Sequence, residues 1–322
     1  MNTPLDIAVV GATGALGRVL LEVLGDSRFP LGRLYPLASE RAETEGDTLT
    51  FRNRELTVGD AEGFDFSRAQ LVLLAVPADC ADSLAADACA AGAAVLDFSS
   101  AQRSNPALVL AGVQAEGPAP GQRVRCPDGL SLAVASLLEG LTPAGVESVD
   151  ITALLPAGVH GRAAMDELAG QTTALFNLSE TTTQVFDRRL AFNLLPASLD
   201  EHQQRSQDVA RLLGDAAPTV ALNLAVAPVF FGASLSLTLH GSALDEAAVR
   251  AAWAANTLIR LDDDSAVLSP ADAATRPDLA VAGLHRQGDA LCAWAAFDPL
   301  RWVALHALRL SARTLASLQQ PA

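Results

Sequence analysis

The stretch that decides the fold is Leu5 to Gly25, LDIAVVGATGALGRVLLEVLG. Leu5 to Val10 is a short apolar run, and its periodicity alone fits either a buried strand or a fragment of helix. The glycines at 11, 14 and 17 decide for strand. Arg18 to Leu24 then carries apolar residues at helical spacing, and Gly25 is expected to end that helix. Strand, glycine loop and helix in this order open a nucleotide-binding βαβ unit. The start of such a helix presents backbone N–H groups and a positive dipole end, and glycines let a pyrophosphate come close to them. Gly11, Ala12, Thr13, Gly14, Ala15 and Leu16 are therefore the candidate dinucleotide contacts. The competing reading is a tight strand-to-helix turn that holds no ligand.

Outward from this unit the alternation continues. Arg33 to Ala38 reads as a second strand, followed by a hairpin of Thr48 to Phe51 and Glu55 to Val58 around Arg52-Asn53-Arg54. Gln70 to Val76 is almost wholly apolar, as a parallel strand covered on both faces must be. Asp79 to Ala91 reads as helix and Ala93 to Leu96 as the next strand, so the first part is a doubly wound α/β domain. After Gly121 the rhythm changes. Helices are expected at Leu130 to Leu141, Arg162 to Phe176 and Asp200 to Leu213. Strands are expected at Ser148 to Leu155, Val220 to Ala225 and Ala233 to His240, with Leu279 to His285 and Leu291 to Phe297 paired through Gln287-Gly288-Asp289. This is an α+β pattern with an antiparallel or mixed sheet. Leu300 to Leu318 forms a long amphipathic helix that must dock to bury Leu305, Leu308 and Leu315.

Composition removes several function classes. The chain has 322 residues, 22 basic and 37 acidic, for a net charge of −15, and every basic residue is arginine. Without lysine there is no Schiff base, no phosphate-loop lysine and no kinase-type lysine. Short-chain dehydrogenases share the GxxGxxG spacing but need a Tyr-x-x-x-Lys pair, and the single tyrosine here is Tyr35. The pI near 4.6 argues against nucleic acid or an anionic membrane as partner. Cys80, Cys89, Cys126 and Cys292 form no CxxC pair, which points to reduced thiols and a cytoplasmic protein. Met1 to Val10 does not read as a signal peptide, and Leu222 to Leu239 fits two strands better than a membrane span.

Five stretches carry a family resemblance: GATGALG at Gly11 to Gly17, LASER at Leu37 to Arg41, DFSSAQR at Asp97 to Arg103, AFNLLP at Ala191 to Pro196, and APVFFGAS at Ala227 to Ser234. In this order they resemble aspartate-semialdehyde dehydrogenase, closest to its Usg-type branch, whose active sites are altered. The resemblance implies an amino-terminal Rossmann domain completed by the carboxyl-terminal helix (residues 1–128 and 299–322). It also implies an α+β domain, residues 129–298, that supplies substrate contacts and a homodimer interface. The family cofactor is NADP. Ser39 and Arg41 match its contacts with the extra phosphate, whereas Ala42, Glu43 and Glu45 replace the family's serine, glycine and lysine, so weakened NADP binding is expected.

The family reduces an acyl phosphate to an aldehyde through a thioester, using a thiolate, a histidine and substrate-binding arginines. Carried over residue by residue, the Pro-Asn-Cys-Ser motif of the nucleophile falls on Pro127-Asp128-Gly129-Leu130. The histidine falls on Ala233, the substrate arginine on Val226, the assisting glutamine on Leu154 and a phosphate-side lysine on Gln204. Arg103 alone stays in place, as the substrate-phosphate contact. Asp298-Pro299 departs from the family's Asp-Asn beside the nicotinamide. No catalytic residue and no metal site are assigned. Cys126 reads as a buried thiol rather than a relocated nucleophile. His160, His202 and His240 read as surface or hydrogen-bonded histidines, Asp128 as a helix cap, and Asp262-Asp263-Asp264 as a solvated turn. The expectation is a catalytically degenerate, NADP-binding homodimer acting through a ligand or a partner. The rival is an active NAD(P)-dependent oxidoreductase that uses another small carbonyl or acyl substrate.

Overall fold

A computed structural model of the chain describes residues 4–38, 48–99, 115–214 and 217–318. The chain divides into two compact units, Met1–Asp128 with Val303–Ala322, and Gly129–Trp302. The first contains β1 (Leu5–Val10), α1 (Ala15–Asp26), β2 (Leu31–Ala38), β3 (Thr48–Phe51), β4 (Arg54–Thr57), β5 (Gly59–Asp60), β6 (Leu71–Leu74), α2 (Ala78–Ala90), β7 (Ala94–Asp97) and β8 (Arg123–Arg125). Six strands pair in the order β5-β2-β1-β6-β7-β8, all parallel.

Strand alternation divides the apolar residues between two cores. Ile7, Val9, Leu71, Leu73 and Leu96 pack with Leu20 and Leu24 of α1, while Ala8, Val10, Val72, Leu74 and Val95 pack with Leu84, Ala85 and Ala88 of α2. A sheet covered on both faces explains why these strands read as nearly continuous apolar runs. The strand order reverses between β1 and β6, so the carboxyl ends of these two strands form the crevice where such sheets bind ligands.

Gly25 does not end α1. The helix runs to Asp26, and its last carbonyls are bound by Arg52, whose Nε donates to Gly25 O and whose Nη2 donates to Leu24 O and Ser27 O, each at 3.1 Å. Arg52 and Asn53 both adopt positive φ, 48° and 61°, in the two-residue turn joining β3 and β4.

The second unit begins with α3 (Gly129–Leu138), then β9 (Ser148–Leu155), α4 (Arg162–Phe176), β10 (Leu195–Pro196), α5 (Leu199–Leu213), β11 (Thr219–Val226), β12 (Ala233–His240), α6 (Glu246–Ala255), β13 (Ile259–Leu261), α7 (Pro270–Ala273), β14 (Leu279–Gln287), β15 (Ala290–Phe297) and the start of α8 (Pro299–Leu318). Its mixed sheet has the order β10-β11-β9-β12-β15-β14-β13. The expected helix 130–141 stops at Leu138, because Gly140 turns the chain at φ +77°. Every residue of α3 is buried, as a helix apolar on all sides requires. Trp253 Nε1 of α6 donates to Leu137 O at 2.8 Å, and Asn256 Nδ2 donates to Ser136 O at 3.0 Å.

Sequence reading passed over α6, β13 and α7. Two of them had capping signals: Asp245 accepts from the N–H groups of Ala247 and Ala248, and Ser269 accepts from Asp272 N ahead of Pro270. In α8 the buried stripe is Ala304, Ala307, Leu310 and Leu315, within the core that holds Val9 and Leu73, while Leu305 and Leu308 are half-buried. Small side chains let the helix backbone come close. A Cβ at Gly117 would lie 2.3 Å from Thr314 N.

Candidate functional site

The three glycines after β1 do different jobs. Gly11 has φ +84°, and a Cβ there would lie 2.2 Å from Ala75 O at the end of β6. A Cβ at Gly17 would lie 2.1 Å from Gly11 O. Chain packing therefore accounts for both residues without a ligand. Gly14 is different: the one atom near its Cβ position is Gly11 O at 3.3 Å, so this side of the turn is open. It is the N-cap of α1, no side chain caps that end, and the first turn holds no acidic residue. Gly11 N and Ala12 N donate to Leu37 O at 2.9 and 3.0 Å, which ties the turn to β2. Arg18 Nε donates to Thr13 O at 3.0 Å. A helix start of this kind, uncapped, uncharged and open beside Gly14, fits a pyrophosphate. Ser39, Arg41 and Arg103 lie outside the described residues.

At the end of β7, Asp97 is fully buried. Its Oδ2 accepts from Arg123 Nε at 3.0 Å and Nη2 at 2.6 Å, and its Oδ1 accepts from Ser99 N at 2.8 Å. The carboxylate thus ties the end of β7 to Arg123 of β8. Cys126 N donates to Asp97 O at 2.7 Å. Burial pushes the Cys126 thiol well above its usual range, the Asp97 charge adds to the rise and Arg125 opposes it. The shift favours the thiol over the thiolate, and the sulfur is buried in the core that holds Leu73, Leu96 and Ala304.

In the second unit, strand pairing gathers the positions singled out by the family resemblance. Leu154 lies opposite Ala225 and Ser234, Val226 opposite Leu155, and Ala233 opposite Phe297. Leu154, Val226 and Ala233 therefore share one end of the sheet. Phe297 leads through Asp298 to Pro299, and Pro299 meets Gly129. A Cβ on Gly129 would lie 2.1 Å from Pro299 O and 2.7 Å from both Pro299 C and Pro299 Cα. Backbone occupies the space that any side chain at 129 needs, a relation that separation in sequence hides. Asp298 holds this segment: its Oδ1 accepts from Leu300 N at 3.0 Å and Arg301 N at 3.1 Å, and its Oδ2 accepts from Thr275 N at 3.0 Å. Beside Leu154, the buried hydroxyl of Ser234 has no hydrogen-bond partner. An apolar neighbour on the facing strand leaves it orphaned.

The histidines have separate roles. His202 Nε2 accepts from Leu224 N at 3.0 Å while its Nδ1 lies 2.8 Å from Ser198 O, so the ring ties α5 to β11. His240 Nε2 lies 2.9 Å from Asp150 Oδ2 at the surface. His160 sits edge-on to Phe186 with Nε2 buried and unbonded. Burial holds its pKa below the usual imidazole range, with Glu201 opposing and Arg205 reinforcing the drop. In the acidic run, Asp262 pairs with Arg260, Asp264 pairs with Arg250 at 2.6 Å, and Asp263 accepts from Ser265 N at 2.9 Å. Among the described residues no group of three His, Cys, Asp or Glu side chains is placed to hold a metal ion, and no helix is long and apolar enough to cross a membrane.

Comparison with known proteins places this geometry among relatives. Residues 6–153 match the family model "Semialdehyde dehydrogenase, NAD binding domain", and residues 138–302 match "Semialdehyde dehydrogenase, dimerisation domain". A USG-1 protein homolog of Azotobacter vinelandii is 36% identical, over 97% of this chain and 98% of its own. Aspartate-semialdehyde dehydrogenase 2 of Vibrio cholerae is 30% identical, over 72% of each chain. The crystal structure of aspartate semialdehyde dehydrogenase II complexed with ASA, from Vibrio cholerae, superposes with a TM-score of 0.89 at 24% identity, covering 97% of this chain and 98% of that one.

Proposed function

Because the chain belongs to the semialdehyde dehydrogenase family, we propose that it is a Usg-type homodimer that binds a nicotinamide dinucleotide and does not perform the thioester reaction. The observation that carries this reading is Gly129. The family nucleophile's position has no side chain, and the Pro299 backbone stands where one would begin. Leu154, Val226 and Ala233 at the same sheet end offer no proton donor, acceptor or cation. Thioester chemistry needs a thiolate, a base and charge to hold an anionic substrate, and none of these groups is available from those four residues. Cys126 does not replace the missing thiol, since its burial favours the thiol over the thiolate.

The cofactor reading rests on the start of α1. Backbone from Gly11 to Leu16 would hold the pyrophosphate against the open side of Gly14, with Ser39 and Arg41 reaching an NADP ribose phosphate. When bound, the nicotinamide would supply hydride exchange. Arg103 would contact an anionic group of a small ligand, and the cytoplasm is the compartment its unpaired thiols suit.

The test joins nucleotide titration to a search for turnover. NADPH is expected to bind, and Gly14→Asp to abolish binding without unfolding the protein, because aspartate is a good N-cap but sets a negative charge where the pyrophosphate belongs. No oxidation of NADPH is expected with aldehydes or ketones. Steady turnover of a small carbonyl that Gly14→Asp abolishes would establish the rival oxidoreductase. Turnover of aspartate semialdehyde with phosphate that is lost in Cys126→Ala would restore the family reaction.

A further inference from the structure

The last helix runs against the charge of the chain. Acidic residues outnumber arginines 37 to 22, yet α8 carries Arg301, Arg309 and Arg313 and no carboxylate between Pro299 and Leu318. The last acidic side chain of the sequence is Asp298. Arg309 and Arg313 lie in the part of α8 that belongs to the first unit. Four residues apart on a helix, they are neighbours on one face, and like charges so placed repel.

Both side chains are half-buried, as is Leu305 one turn earlier, so the three form a flank between the buried stripe and the exposed Ala312 and Ala316. Arg313 Nη1 donates to Ala115 O, which anchors this guanidinium to the chain that enters β8. Arg309 makes no hydrogen bond or ion pair among the described residues. Burial and the Arg313 charge hold its pKa below the ordinary guanidinium value, and no carboxylate opposes them. Other arginines withdrawn from water are paired: Arg123 with Asp97 at 2.6 Å and Asp82 at 2.8 Å, Arg250 with Asp264 at 2.6 Å, and Arg205 with Glu201. A partly desolvated cation that faces another cation is disfavoured until an anion completes the group.

We propose that Arg309 and Arg313 form a binding site for a small, multiply charged oxyanion, a phosphoryl group or a carboxylate, held between the two guanidinium groups. A guanidinium presents paired, coplanar N–H donors that match two oxygens of such a group. The small side chains of Ala312 and Ala316 leave the adjoining strip of the helix open to it. Arg313 keeps its bond to Ala115 O and offers its remaining donors. The site is built on α8, not on the glycine turn at the start of α1, and does not depend on the dinucleotide reading.

Calorimetric titration of the full chain with inorganic phosphate, and separately with citrate, at constant ionic strength tests this. Saturable binding is expected, weakened about tenfold or more by Arg309→Gln and by Arg313→Gln and less by Arg309→Lys, which keeps the charge but loses the fork. Gly14→Asp is expected to leave it unchanged, which separates this site from the pyrophosphate turn. Tighter binding of phosphate would assign a phosphoryl group, and tighter binding of citrate a carboxylate. Arg309→Leu is expected to melt at or above the wild-type temperature in anion-free buffer, because an unpaired half-buried charge is removed, and below the wild type in saturating anion. The proposal is overturned by a lack of saturable binding, by binding that survives Arg309→Gln unchanged, or by an Arg309→Leu variant destabilised equally with and without anion.

Discussion

At the residue scale, Gly129 and Pro299 form a coupled pair. Gly129 carries no side chain and the Pro299 backbone lies where one would begin, so placing a cysteine at 129 is expected to build no working site. Gly129→Cys is expected to lower stability by about 1–3 kcal/mol through overpacking against backbone and to gain no aspartate-semialdehyde turnover. Urea denaturation and a coupled assay measure the two effects, and an active, undestabilised variant would contradict the reading. His160 gives a second residue-scale expectation. Its native imidazole binds a proton less tightly than the same group in the unfolded chain, because burial disfavours the cation. The unfolded state therefore takes up more protons below its own pKa, near 6.5. The destabilisation is absent above that pH, grows as pH falls through it and levels off below the depressed native value. His160→Gln should flatten this part of the stability profile, and an unchanged slope would show that another group is responsible.

At the element scale, α1 shows how local signals are overridden. Gly25 reads as a stop signal, yet helix continues past it because Arg52, reaching across from the β3–β4 turn, satisfies the terminal carbonyls. Gly25 then lies in helical backbone, and a Cβ there would meet Phe51 Cε2 at 3.5 Å, an ordinary contact. Gly25→Ala is expected to stabilise the protein by about 0.5–1 kcal/mol, read as a raised denaturation midpoint; a loss of stability would mean that Phe51 cannot accept the methyl group. In α8 the amphipathic pattern was legible but the seam was not. Leucines 305 and 308 carry the hydrophobic signal yet stay half-buried, while Ala304, Ala307, Leu310 and Leu315 are buried and the close backbone approach is that of Gly117 to Thr314.

At the scale of the whole molecule, nucleotide binding and stability are linked. A ligand that binds only the native state stabilises it by about 2.7 kcal/mol at a hundredfold excess over its dissociation constant. NADPH is therefore expected to raise the melting temperature of the wild type and leave that of Gly14→Asp unmoved. A shift that survives in the variant would place the nucleotide elsewhere.

The doubly wound sheet was readable from Leu5 to Gly25 because a strand covered on both faces, a glycine turn and an amphipathic helix each leave a local pattern. The family was readable too, since its motifs run in order along the chain. The absence of side-chain chemistry at 129, 154, 226 and 233 is also a statement of sequence. What sequence could not provide was the meaning of these positions in space. Strand register brings Leu154, Val226 and Ala233 to one sheet end, and the Phe297–Pro299 turn carries backbone against Gly129. Likewise Phe192 reads as one apolar residue among many, yet in the fold it is exposed, at φ +54°, directly after Leu190 and Ala191, whose N–H groups donate to Gln171 Oε1. Local patterns report the period and chemistry of neighbouring residues, whereas steric exclusion and exposure depend on residues far apart in the chain, and those only the tertiary structure brings together.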